Sequence, residues 1–219
     1  FAGDTVAFVR PSTMQRYAEN TIKAVRMESP RIVEVTFMRP IPSDVSLQSD
    51  CVENLSCTPE VDIRHCFFSR TSTRGTLVTT PRRVIIRDNT YCYTGMSAIL
   101  IEGDAAGWYE SGPVKDVLIE NNKFIDCAYN GGSSRAVIAL NPSNTAVDAR
   151  RPVHQNVRIL NNFFVTLGNP LLYAKSTSQL VFKGNEVKVE APSSWVGNKW
   201  TILEGCSRVT IKDNKFLKP

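Results

Sequence analysis

Val117-Leu118-Ile119-Glu120-Asn121-Asn122-Lys123-Phe124 decides the fold, because the chain repeats this phrase six times. The pattern is aliphatic, any residue, aliphatic, two more, Asn, one more, then a large apolar residue. Further copies run from Val84 to Tyr91, Val157 to Phe164, Leu180 to Val187 and Val209 to Phe216. The copy from Val61 to Phe68 carries Cys66 where the others carry Asn. Alternating aliphatics make a strand with one buried face, and the Asn with the ring after it marks a corner. A β-unit that returns at this interval is the signature of a solenoid.

The copies begin at residues 61, 84, 117, 157, 180 and 209, so their spacings are 23, 33, 40, 23 and 29. Twenty-three residues suffice for one coil of three short strands and three turns. Stacked at about 4.8 Å, six coils rise roughly 24 Å. A further strand per coil is expected at Gly75 to Thr79, Ala98 to Glu102, Ala136 to Leu140, Leu171 to Ala174 and Thr201 to Gly205. The fold class is therefore all-β, a right-handed parallel β-helix of about six coils over residues 51–219.

Stacking explains the Asn. An amide has two donors and two acceptor lone pairs, so each can bond the copy above and below while satisfying the turn backbone. The competing reading is a set of ordinary exposed turn asparagines. In the same geometry Phe68, Tyr91, Phe124, Phe164 and Phe216 form one aromatic column inside the coil. The two longest coils place their excess at Gly103 to Pro113 and Asn141 to His154, loops of the kind that solenoids use for binding.

The first fifty residues lack the phrase. Thr5 to Val9, Thr21 to Met27 and Arg31 to Phe37 alternate like antiparallel strands, punctuated by Pro11, Pro30 and Pro40. Residues 1–50 are read as a partial small β-barrel or meander leading into the helix. The opening Phe1-Ala2-Gly3-Asp4 has neither Met nor signal peptide, which suggests a piece cut from a longer protein.

Composition narrows the function classes. The chain is 42% hydrophobic, with a mean hydropathy of −0.17. No apolar run approaches the roughly 18 residues that a membrane-spanning helix needs. The net charge of +5 is dispersed, and no basic stripe is interleaved with aromatics, so nucleic acid is not expected as a partner. The six cysteines and two histidines show no metal-ligand spacing; no metal and no cofactor are expected. Cys66, Cys127 and Cys206 read as small buried wall residues, while Cys51 and Cys57 leave a loop disulfide open.

Chemistry concentrates in Gly103-Asp104-Ala105-Ala106-Gly107-Trp108-Tyr109-Glu110-Ser111-Gly112-Pro113, which follows Glu102. Three carboxylates, an adjacent Trp-Tyr pair and turn-forming glycines are the ingredients of a sugar site. A flat ring lies on the apolar face of a pyranose, and carboxylates accept its hydroxyl hydrogens. Hydrolysis of a glycosidic bond uses two such carboxyl groups, about 5–5.5 Å apart in a retaining enzyme and about 6.5–9.5 Å apart in an inverting one. Glu102, Asp104 and Glu110 are the candidate catalytic groups, and Arg74, Glu102, Asp104, Trp108 and Glu110 the candidate substrate contacts. The plainer alternative makes the acids solvated turn residues and Trp108 a lid packed on the coil. Arg74 with Thr79-Thr80-Pro81-Arg82 forms a second patch, its alternative being a surface arginine paired to Asp88 or Glu60. Asn141-Pro142-Ser143-Asn144 could add amides to the same cleft.

Several of these stretches are shared with a known family. Glu53-Asn54-Leu55-Ser56-Cys57-Thr58-Pro59-Glu60-Val61, Thr73-Arg74-Gly75, Thr79-Thr80-Pro81-Arg82-Arg83-Val84, Ala98-Ile99-Leu100-Ile101-Glu102-Gly103-Asp104-Ala105 and Trp108-Tyr109-Glu110-Ser111-Gly112 resemble the bacterial exo-α-1,3-galactosidases of glycoside hydrolase family 110. Gly3-Asp4-Thr5-Val6-Ala7-Phe8-Val9 is similar to the barrel strands inserted into their β-helix. The resemblance covers most of residues 3 to 140. It implies an inverting, metal-independent hydrolase that removes terminal α-1,3-linked galactose, exported to the periplasm or beyond by a glycan-degrading bacterium. The family's paired-aspartate motif, Asp-Asp-Ala-Ile-Asn-Val-His-Gly, has no match here, so the resemblance gives these residues a cleft-wall role. Two rivals stand beside it: a non-catalytic glycan-binding or structural β-helix, and a polysaccharide lyase or epimerase, for which the acidic calcium cluster is missing.

Overall fold

The computed structural model describes residues 1–130, 136–190 and 200–217. The described residues form β-strands joined by turns. Three parallel sheets, of six, six and five strands, wrap the solenoid. The second coil shows the plan: Arg83–Arg87 in the first sheet, Thr90–Cys92 in the second and Ile99–Ile101 in the third. Each copy of the phrase thus supplies two strands, with the Asn at the bend between them. The third strands lie where the sequence places them, from Thr76–Val78 to Thr201–Glu204. Register is in step from coil to coil: Val61, Val84, Val117, Val157, Leu180 and Val209 stand in one column. Of these, Val84, Val117, Val157 and Leu180 are fully buried.

The amide ladder is continuous. Asn89, Asn122, Asn162 and Asn185 each donate through Nδ2 to the Oδ1 of the next Asn, at 2.9–3.1 Å. The same Oδ1 accepts the backbone N–H of the preceding Asn at 2.9–3.0 Å. The second Nδ2 hydrogen goes to a strand carbonyl, as from Asn122 to Ile86. Every donor and acceptor of an interior rung is used, so the buried amide costs little. Cys66 ends the file by donating its backbone N–H to Asn89 Oδ1.

One column escaped the sequence reading. The residue before each corner, His65, Asp88, Asn121, Asn161, Gly184 and Asp213, has φ between 53° and 69°. Asn, Asp, His and Gly are the residue types that enter this left-handed region most readily. At Gly184 a Cβ would in addition meet Asn161 Oδ1 at 2.4 Å, so a larger residue would have to displace that side chain.

The aromatic column is shorter than expected. Phe68, Tyr91, Phe124 and Phe164 stack with centroids 4.7–5.3 Å apart. Val187 then takes the ring position, and Phe216 packs on Trp200 instead. A β-branched side chain cannot continue a file of stacked rings, and so it separates Phe216 from Phe164. The cysteines also depart from expectation: Cys127 is buried, Cys66 is exposed, Cys206 is half-buried, and all six are free thiols. Cys51 donates to the Ala105 carbonyl rather than bridging to Cys57.

The front segment forms a sheet of four antiparallel strands: β1 (Thr5–Arg10), β2 (Gln15–Ser29), β3 (Ile32–Phe37) and β4 (Cys51–Asn54). Their order is β3-β2-β1-β4. This adds one strand to the three expected, and β2 is a continuous 15 residues beginning well before Thr21. The sheet docks on the solenoid through a small apolar cluster of Val9, Met14, Ala105 and Val153. Ala105 and Val153 belong to the two long loops, and Ala146 donates to the Ser12 carbonyl at 2.8 Å. Both insertions therefore leave the solenoid at one corner and meet the same sheet. Among the described residues no helix is long and apolar enough to cross a membrane.

Candidate functional site

The loop after Ile99–Ile101 has a neck and a head. At the neck its two ends come together: a Cβ on Gly103 would meet the carbonyls of Ser111 and Gly112 at 3.2 Å. The Asp104 N–H donates to the Glu110 carbonyl, closing a short antiparallel bridge. At the head, Asp104 accepts the backbone N–H groups of Ala106, Gly107 and Trp108 at 2.7, 3.0 and 2.9 Å. Burial works against the charged form of Asp104, but these three bonds, with help from the Ser143 hydroxyl, outweigh it and hold the carboxyl below the usual range. Asp104 is thus a loop-closing residue, 8% exposed, with its lone pairs turned inward.

The rings it presents are open. Trp108 is 81% exposed and Tyr109 70%, the latter held at φ 55°. This removes the alternative of a lid packed on the coil.

Glu102 sits at the end of its strand and is half-buried. Its pKa is raised, first by burial and then by the neighbouring charge of Glu110, with a smaller push from Asp104. Arg74 pulls the other way. Glu110 is half-buried, and its Oε2 has no hydrogen-bond partner among the described residues. Glu102, Glu110 and Arg74 are therefore one electrostatic cluster beside the exposed rings. Burial and the nearby negative charge both favour the protonated form of Glu102, the form in which a carboxylic acid can donate to a glycosidic oxygen.

The other candidates fall elsewhere. Asp88 is paired to Arg87, so it is not the partner of Arg74. Thr80 is buried, with its hydroxyl on the Pro59 carbonyl, and Arg82 reaches Thr58. Of the Asn141 to Asn144 stretch, Pro142 and Asn144 are buried at the junction with the front sheet. Asn144 donates to the Ala146 carbonyl, and Lys175 caps the Pro142 carbonyl at 3.0 Å.

Sequence reasoning missed the residue that anchors the neck. Glu53, on β4, receives Arg16 through two 2.7 Å bonds. Its Oε1 also accepts from Ser111 Oγ at 2.5 Å and from the Gly112 N–H at 2.9 Å. Burial raises its pKa and these donors lower it; the net effect is downward. Thirty-seven residues separate Arg16 from Glu53 and 58 separate Glu53 from Ser111, so no local pattern signals the contact.

A family described as the GLAA-B beta-barrel domain II matches residues 1–52. The chain is 61% identical over 218 residues to "Alpha-1,3-galactosidase A" of Bacteroides fragilis, a match that covers 99% of this chain and 36% of that protein. This chain is a relative of the α-1,3-galactosidases. "Alpha-1,3-galactosidase B" of Bacteroides thetaiotaomicron is 38% identical over 221 residues, covering 97% of this chain and 35% of its own length. "Alpha-1,3-galactosidase B" of Akkermansia muciniphila is 38% identical over 224 residues, covering 99% and 28%. The chain spans about a third of the length of these galactosidases. The likeness read from the Glu102 to Gly112 block thus extends past residue 140, along nearly the whole chain.

Proposed function

We propose that this chain is part of a glycoside hydrolase that removes terminal α-1,3-linked galactose from glycans, and that it forms one wall of the sugar cleft. The observation that carries the proposal is the loop head: Trp108 and Tyr109, exposed on a clamped loop beside Glu102, Glu110 and Arg74. The names of the relatives supply the linkage. In this reading a ring of Trp108 or Tyr109 lies against the apolar face of galactose, Arg74 donates to ring hydroxyls, and Glu102 and Glu110 accept from them. Residues 1–50 serve as a bracket and residues 51–219 as the platform, with β4 as the passage between them. The reaction is inverting and needs no metal, and the protein works outside the bacterial cytoplasm.

Hydrolysis of Galα1-3Gal by the full-length protein tests the placement. Glu102→Gln and Glu110→Gln are expected to lower kcat/KM at least tenfold, and Trp108→Ala to raise KM. If none of these changes kcat or KM beyond about threefold, the site does not lie on this loop. Calorimetry of the 219-residue chain with galactosides separates the rival reading, because a self-sufficient glycan-binding module would bind unaided.

A further inference from the structure

We infer that Glu53 is a positioning residue for the sugar site, acting through the neck of the 103–112 loop. The inference rests on the reading of that loop as a galactoside contact.

Glu53 faces Ala7 of β1 in the register of the front sheet, while Arg16 faces Val9 of the same strand from the other side. The ion pair therefore crosses the central strand and ties β2 to β4. Both side chains are largely buried, at 16% exposure for Arg16 and 9% for Glu53. The planar guanidinium takes both oxygens in a fork, which fixes the carboxylate in direction as well as place. Oε1 then holds Ser111 Oγ and the Gly112 N–H. Gly112 lets the carboxylate approach closely, since a Cβ there would meet Glu53 Oε2 at 3.1 Å and push it aside by a few tenths of an ångström. The residue immediately before this clamped pair is Glu110, and the two before that are the exposed rings. Asp104 shapes the head internally, but it makes no bond to the front sheet among the described residues; Glu53 sets where the head stands relative to Glu102. A 1 Å displacement of a sugar contact is enough to weaken binding.

A buried ion pair can often be replaced by apolar residues of similar size with little loss of stability. Arg16→Leu/Glu53→Leu removes the clamp in this way, and Ser111→Ala removes one of its bonds while leaving the ion pair intact. In the full-length protein both variants are expected to keep Tm within a few degrees. Amide exchange at Trp108 to Gly112 should quicken, about tenfold in the double variant and about threefold in Ser111→Ala. KM for Galα1-3Gal should rise by similar factors, with kcat within about threefold. A purely structural role would lower Tm and leave KM alone. Unchanged exchange in Ser111→Ala overturns the clamp even if the double variant does not fold. Faster exchange with an unchanged KM overturns the positioning role. Failure of the unmutated protein to cleave Galα1-3Gal counts instead against the hydrolase reading, and the exchange rates still show whether Glu53 holds the loop.

Discussion

In the coil stack, the Asn at each corner is satisfied by the copy of itself one coil away; at the neck of the 103–112 loop, Ser111 and Gly112 are satisfied by a residue with no counterpart. Asn122 meets Asn162, and Asn162 meets Asn185, through the same two bonds. Ser111 and Gly112 meet Glu53, which meets Arg16, once. The first arrangement spreads over the length of the solenoid and tolerates a weak rung such as Cys66. The second is a local attachment with no copy elsewhere in the chain, and it lies beside the exposed rings of Trp108 and Tyr109. Repetition gives a stiff platform, and a unique contact fixes the loop that carries the exposed rings.

Breaking the stack should produce the largest effect. Phe124 has rings on both sides and is 1% exposed, so Phe124→Ala is expected to cost about 4 kcal/mol by denaturant unfolding. A loss below about 1 kcal/mol would mean that the column is not a core. Next comes Asn122→Ala, which strands the N–H of Asn89, an Nδ2 hydrogen of Asn89 and the Ile86 carbonyl. About 3 kcal/mol is expected, against about 1 kcal/mol for Asn214→Ala on the last coil. There the same three groups, two of Asn185 and the Phe182 carbonyl, are freed, but the side chain is only half-buried and water can replace it. Equal losses at the two positions would show that the rungs act singly rather than as a file.

The pH dependence sharpens the comparison. His154, fully buried at the end of the second insertion, accepts the Val114 N–H on Nδ1, and burial depresses its pKa from 6.5 to about 3. Below pH 6.5 the unfolded chain binds a proton that the folded His154 refuses. Stability is therefore lost as pH falls from about 6.5 towards 3, with a slope near 1.4 kcal/mol per pH unit from this group alone. His154→Gln should remove that slope between pH 6 and 4; an unchanged slope would assign the acid sensitivity elsewhere. Glu53, with a lowered pKa, adds stability that is present above the ordinary carboxylate range and lost at more acid pH.

The smallest global effect should come from Asp104→Asn, which keeps one acceptor oxygen and loses the bond from Trp108. Stability is expected to fall by less than about 1 kcal/mol. Exchange at Ala106 to Trp108 should nevertheless quicken while the stack is unaffected. If the stack loosens as well, loop and coil are one cooperative unit.

Much of the solenoid was legible because its contacts are translated copies: a residue that stacks on its own repeat is visible as a period. The ladder, the three sheets and the corner of the two insertions follow from that period. The ring column was overread: Val187 interrupts it, and Phe216 packs on Trp200 instead. The site was legible only in composition. Trp108, Tyr109, Glu102 and Glu110 stand close in the chain and remain together, whereas Asp104 turns inward because three backbone amides converge on it.

The amino-acid sequence alone determined the coil, its strand positions and its amide file, because each depends on residues recurring at one offset. The tertiary structure alone decided that β4 joins the front sheet, that both insertions dock on that sheet, and that Glu53 grips the loop. Those contacts join segments tens of residues apart that carry no shared pattern. Their energy comes from burial and hydrogen-bond geometry that exist only once the chain has wound around itself.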